Sequence, residues 1–206
     1  MDMLLVITIL VVIFALGFDF INGFHDTANA IATSVSTRAL KPRVAVMMAA
    51  VMNFIGAITF VGVAKAIASD IVDPFGLNAF EGDTTGSVVI LAALCSAITW
   101  NLLTWYFGIP SSSSHTLIGS IAGAAIASAG FGILNYDGFT KILQALILSP
   151  LIALTIGFTM MKLFKFLFKN FSLYSTNKGF RLVQIGTAAL QAFTHGTNDA
   201  QKAMGI

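Results

Sequence analysis

Long apolar runs separated by short polar breaks dominate this chain, and their lengths predict a series of membrane-crossing helices. The first run covers residues 4–24 and continues into a polar, small-residue stretch at 26–37; the second covers 44–64. A third, 87–107, is stopped by Gly108 and Pro110, and a Gly/Ala-rich helix follows at 117–134. Residues 135–138 read as a turn, and 142–161 form a further span in which Pro150 is expected to introduce a kink. A last helix is expected to start near Leu182. A hydrocarbon core of about 30 Å needs roughly 20 apolar residues per crossing, so about five or six crossings fit.

Composition makes the same case. The chain is 57% hydrophobic and 10% charged, with a mean hydropathy of +0.88. A soluble domain of that composition has too little polar surface to cover itself. The fold class is therefore all-α, a polytopic membrane protein. The first run lacks the basic flank and cleavage site of a signal peptide and reads as a retained span. Cys95 is the only cysteine, which excludes an internal disulfide.

Charge placement sets the orientation. Arg38, Lys41 and Arg43 form a basic turn, and residues 162–181 carry Lys162, Lys165, Lys169, Lys178 and Arg181 with no acid. The loop at 65–85 holds Asp70, Asp73, Glu81 and Asp83 against one lysine. Basic segments stay on the cytoplasmic side, so the acidic loop and the amino terminus are expected outside. The segment 162–181 is flanked by phenylalanines and reads as a cytoplasmic linker or an interfacial helix.

One polar motif occurs twice in this apolar background. Gly23-Phe24-His25-Asp26-Thr27-Ala28-Asn29-Ala30 returns as Gly196-Thr197-Asn198-Asp199-Ala200-Gln201-Lys202-Ala203, with Gly, Asp and Ala at one constant offset (23 to 196, 26 to 199, 30 to 203). A carboxylate at membrane depth is expensive and is read as functional. The first copy lies on a chain running inward and the second on a chain running outward, the pattern of an inverted duplication with a site between its copies.

Between the copies lies Pro110-Ser111-Ser112-Ser113-Ser114-His115-Thr116. It joins either two full spans through a cytoplasmic turn or the arms of a re-entrant hairpin, and irregular backbone at depth must be buried or line a wet cavity. Hydroxyls and free N–H groups at a helix start suit an oxyanion; a plain polar turn with Ser114 or a neighbour as N-cap is the alternative. Ionised Asp26 and Asp199 repel an anion unless a cation or a proton intervenes. Asn29, Thr27, Asn198 and Gln201 add neutral oxygens of the kind Na⁺ prefers. Lys202 either faces the anion or snorkels toward an interface. His25, His115 and His195 lack zinc-site spacing and read as capping or hydrogen-bonding groups, with no metal expected. No Gly-x-Ser-x-Gly elbow supports a hydrolase, so an enzyme is not expected. Gly56, Gly62 and the series Gly119, Gly123, Ala127 read as surfaces for close helix packing.

At both motifs and the Ser-rich break, the chain resembles the inorganic phosphate transporter family of low-affinity phosphate permeases and sodium-phosphate symporters, along its whole length. The resemblance implies an inverted-repeat carrier that moves phosphate, driven by Na⁺ or H⁺. It implies cation-coupling roles for Asp26, Asn29, Asn198 and Asp199. It implies phosphate contacts from Ser111, Ser112, Ser113, Ser114 and Thr116, with Thr197 and Gln201 as secondary candidates. His25 stands where many members have Asn, and a titrating imidazole beside Asp26 suits proton coupling. The implied partners are inorganic phosphate, Na⁺ or H⁺ and the lipid bilayer of a bacterial cell membrane; a homo-oligomer is compatible and nucleic acid is not expected, nor is a cofactor.

The expected organisation is a first repeat at 1–161 with the Ser-rich hairpin at 87–134, the basic segment 162–181, and the start of an inverted second repeat at 182–206. A partner for the first hairpin is not found before Ile206. The competing readings are a carrier for sulfate or another oxyanion and a non-transporting phosphate-sensing subunit. The expectation is that these 206 residues alone form an incomplete transporter. Concentrative uptake of labelled phosphate by the purified chain in liposomes would refute it.

Overall fold

A computed structural model describes residues 3–59, 62, 71 and 84–205. The acidic loop at 65–85 lies, apart from Ile71, Thr84 and Thr85, outside the described residues, as does the side chain of Thr27. Helix α1 spans Met3–Ser36 without interruption, 34 residues or about 50 Å, and carries the whole first motif. It ends where Arg38 takes a left-handed backbone (φ 58°) and Leu40 N–H turns back to the Ser34 carbonyl at 3.0 Å. Helix α2, Pro42–Thr59, then starts on a proline, whose absent N–H is not needed in a first turn.

Helices α3 (Thr85–Phe107) and α4 (Ser113–Ala129) pack as the arms of a hairpin. Gly108 closes α3 at φ 64°, a conformation that favours glycine, and its N–H caps the Thr104 and Trp105 carbonyls. Ser112, not Ser114, is the N-cap of α4; its hydroxyl accepts from His115 N–H. A short 3-10 turn at Phe131–Ile133 follows. Residues 135–138, expected as a turn, are instead a helix start. Asn135 accepts from Gly138 N–H and caps α5, which runs Tyr136–Phe168. Pro150 lies inside α5, where it withholds the N–H that the Leu146 carbonyl would receive.

The last helix, α6, spans Leu173–Asp199 and is followed by a 3-10 turn at Ala203–Gly205. It starts nine residues before the expected position. The basic stretch at 162–181 is therefore not a separate element. The end of α5, a short link and the first turns of α6 divide it, and Phe164 and Phe168 meet Phe180 across the link at ring separations of 5.9 and 5.0 Å.

Residue pairings give the directions. Ile98 lies against Gly17 and Trp105 against Phe24 at 5.5 Å, so α1 and α3 run parallel. Phe18, Leu94, Ala97 and Leu117 bury together where α1, α3 and α4 meet. Helix α6 runs against α1: Arg181 Nη2 donates to the Arg38 carbonyl at 2.6 Å and Thr37 to Gln184 at 2.7 Å. The two motif-bearing helices thus point in opposite directions. Among the described residues, α1, α2, α3 and α5 are long and apolar enough to cross a membrane. That is fewer than the five or six read from the sequence, because α4 has 17 residues and α6 is too polar.

Ser113, the first residue of α4, bonds Asp26, which lies about ten residues or 15 Å before the end of α1. The hairpin tip therefore lies level with the first motif rather than with the basic turn.

Helices α2 and α6 make the closest crossing. Ala45, Ala49 and Ala192 are buried between them, and Gly56 and Gly196 let the backbones touch. A Cβ at Gly196 would collide with the Asn53 backbone, and one at Gly56 with the Phe193 carbonyl. Gly196→Ala is expected to destabilise the chain by about 1–3 kcal/mol. Gly186→Ala, on the same helix with open space around it, is expected to be neutral or stabilising by at most about 1 kcal/mol. Unfolding in detergent, followed by circular dichroism, checks both.

Candidate functional site

Three segments far apart in sequence meet at Ser113. Its hydroxyl donates to Asp26 Oδ2 at 2.8 Å and accepts from Lys202 Nζ at 2.8 Å. The same ammonium pairs with Asp199 Oδ1 at 2.8 Å. Asp199 Oδ2 lies 3.0 Å from His195 Nε2, in ion-pair rather than hydrogen-bond alignment. On its other side, His195 Nδ1 is 2.6 Å from Asn53 Oδ1 of α2. At the opposite end, His25 Nδ1 lies 3.4 Å from Asp26 Oδ1. One polar chain thus runs from α1 through the hairpin tip to the end of α6 and on to α2.

Burial sharpens this geometry. Lys202 is only 4% exposed and Ser113 6%. An ammonium removed from water must be paired and hydrogen-bonded to be tolerated. Of the two sequence readings of Lys202, snorkelling toward an interface is excluded, since its nitrogen ends on Ser113 and Asp199. Asp199 is held from both sides, by a lysine three residues later and a histidine four residues earlier.

The Ser-rich segment divides between two faces of α4, as helical periodicity requires. Ser113 and Leu117 face α1. Ser112, Thr116 and Gly119 face the other way, into a groove of about 690 Å³ that α3 lines with Ser96, Trp100 and Thr104. Ser111 lines it as well, and Ser112 Oγ is bonded to His115 Nδ1 at 2.8 Å. Thr116 bonds back to the Ser112 carbonyl, and Ser114 is half-buried. The five expected phosphate contacts are therefore not one converging set: Ser113 belongs to the acidic chain, and Ser111, Ser112 and Thr116 belong to the groove.

The remaining expected residues separate in the same way. Asn29 and Asn198 are exposed, and Asn198 Nδ2 donates to the Thr194 carbonyl. Thr197 also bonds that carbonyl, whereas Gln201 is fully buried. Two residues, Asn53 and Asp19, were not anticipated. Asn53 continues the chain to α2 through His195, which was expected to be a capping or hydrogen-bonding group. Asp19 lies two turns before Asp26 on the same face of α1. Among the described residues, Asp19 Oδ1 and Asn22 Oδ1 are buried without a hydrogen-bond partner. The signal for Asp19 was present in the sequence, as an acid inside the first apolar run.

The shared contact at Ser113 has a measurable consequence. Ser113→Ala is expected to destabilise the chain by about 1–3 kcal/mol, and Lys202→Met by about 3 kcal/mol because it leaves the partly buried Asp199 carboxylate without its ammonium. The double variant is expected to fall short of their sum by about 0.5–3 kcal/mol. Denaturant unfolding of the four proteins measures that coupling, and strict additivity would separate the two residues.

Comparison with known proteins places the chain among its relatives. A profile described as the Phosphate transporter family matches residues 22–206. A probable low-affinity inorganic phosphate transporter of Bacillus subtilis (strain 168) is 69% identical over all of this chain, which covers 60% of that protein. A probable low-affinity inorganic phosphate transporter of Mycobacterium leprae (strain TN) is 44% identical, again over the whole chain and 48% of the relative. The chain thus spans about half to three fifths of the length of these relatives. A solved structure titled "The sodium-dependent phosphate transporter" shares the fold at a TM-score of 0.76 and 22% identity, over 97% of this chain and 66% of that one. With the paired Asp motifs, the Ser-rich hairpin and this coverage, the chain belongs to the phosphate transporter family.

Proposed function

We propose that this site serves secondary active transport of inorganic phosphate across the cell membrane, coupled to Na⁺ or H⁺. The observation that carries the reading is the junction at Ser113, where a hairpin hydroxyl touches both the first Asp motif and the lysine of the second. Movement of either motif helix changes the position of the hairpin tip, so ion occupancy and the anion groove are mechanically linked.

Charge supports the coupling. Asp199 pairs directly with the single buried ammonium, Asp26 reaches it through the Ser113 hydroxyl, and Asp19 lies two turns before Asp26 on α1. Three carboxylates against one ammonium give the cluster an excess of acidic groups in a medium of low dielectric. An approaching phosphate adds to that repulsion, and a bound Na⁺ or a proton removes it. The orphaned oxygens of Asp19 and Asn22 are acceptors of the type a hard cation uses. His25 beside Asp26 is the group through which a proton would enter.

The groove supplies the anion side. Hydroxyls of Ser111, Ser112 and Thr116 line it at the start of α4, where backbone N–H groups and the positive end of the helix dipole favour an oxyanion. The antiparallel course of α1 and α6 supports reading α6 as the first helix of an oppositely oriented second repeat.

Equilibrium binding of labelled phosphate to the purified chain, in Na⁺ against choline and at pH 6 against pH 8, tests the proposal. Binding that responds to neither ion would overturn it, and equal displacement by sulfate would widen the substrate to oxyanions in general. Asp26→Asn and Asp199→Asn are each expected to remove ion-dependent binding by about ten- to a hundredfold while the protein still inserts into membranes. Steep ion dependence retained in either variant would exclude that residue from coupling.

A further inference from the structure

The basic end of the molecule holds a second cavity that phosphate coupling does not use. Eight of the eleven Lys and Arg residues (Arg38, Lys41, Arg43, Lys162, Lys165, Lys169, Lys178, Arg181) lie near it in sequence, and neither 27–69 nor 138–198 contains an acid. Between the end of α1 and the first turns of α6 is a hollow of about 500 Å³, into which Arg38, Lys178 and Arg181 converge. Among the described residues these three form no ion pair. By contrast, Lys162 and Lys169 rest on the rings of Phe158 and Phe166, 4.6 and 5.2 Å away.

The cavity is built rather than incidental. The left-handed Arg38 turns its carbonyl toward α6, and Arg181 Nη2 is anchored there at 2.6 Å. That bond holds one edge of the guanidinium and leaves the rest of its donor fork for an anion. Tyr174 and Asn177 add polar groups to the lining, while Leu182 and Ile185 form an apolar wall. Leu182, the residue after Arg181 on α6, is 73% exposed. A basic rim continuous with an exposed apolar wall fits a molecule with an anionic head and an acyl tail.

We propose that this cavity binds the phosphate-bearing headgroup of an anionic phospholipid of the cytoplasmic leaflet, with an acyl chain along Leu182 and Ile185. Cytoplasmic leaflets carry such lipids, and basic pockets between helices on that side recognise them. Lipid held there bridges the end of α1 to α6, the two helices that carry the Asp motifs.

Native mass spectrometry of the purified chain, released from micelles holding either phosphatidylglycerol or phosphatidylcholine of the same acyl chains, tests this. Wild type is expected to retain phosphatidylglycerol at least about fivefold better. Lys178→Gln/Arg181→Gln is expected to bring the ratio close to one with phosphatidylcholine retention unchanged, which also shows that the variant is folded. Lys162→Gln/Lys169→Gln removes the same charge away from the cavity and is expected to keep the preference. Ala39→Leu fills the cavity at constant charge and is expected to lower it. Parity in the wild type, equal loss in both double-Gln variants, or full preference in Ala39→Leu would each overturn the proposal. Displacement of phosphatidylglycerol by millimolar inorganic phosphate would reassign the cavity to the free anion.

Discussion

The buried ammonium of Lys202 is the constraint on which the other parts depend. Removing a charge of that size from water costs several kcal/mol unless its partners are close and well placed. Its partners come from a helix end and a hairpin tip: Asp199 at the close of α6 and Ser113 at the start of α4. Ser113 in turn commits the first motif through Asp26. Because the lysine tolerates little displacement, α1, the hairpin and α6 are held to one mutual arrangement.

Packing makes that arrangement reachable. The glycines at 56 and 196 bring α2 and α6 into backbone contact, which places Asn53 beside His195. The imidazole then spans from α2 to Asp199. Small residues at the crossing and polar groups beyond it are a common division of labour in membrane helices, where lipid offers no hydrophobic drive for association. The exposed apolar length of α5 follows from the same reasoning. Its first turns cover α4 through Phe139, Ile142 and Leu146, and the remainder carries exposed apolar side chains.

Much of the fold was legible in the sequence because each signal was local. Run length separated the spans, and proline and glycine marked the hairpin at 108–110. Charge bias implied opposite courses for the two motif copies, and the helix pairings show α1 and α6 antiparallel. Boundaries were less legible. Residues 135–138 look like a turn because Asn and Gly favour one, yet the same Asn serves as a cap when a helix follows. The basic stretch at 162–181 looked independent because its composition is uniform, while backbone hydrogen bonding divides it between two helices.

By itself, the sequence determined the membrane class, the helical architecture, the paired carboxylates and the family, since these follow from composition, spacing and motif identity. Only the tertiary structure decided which members of each motif lie together. It turned Ser113 toward Asp26 and Ser112 and Thr116 toward the groove, a choice made by the rotation of α4. It also buried Lys202, left Asn29 and Asn198 exposed, and joined Asn53 to the polar chain through His195. The physical reason is that the cost of a charge depends on what surrounds it in space. Those surroundings come from helices that are neighbours in the fold and distant along the chain.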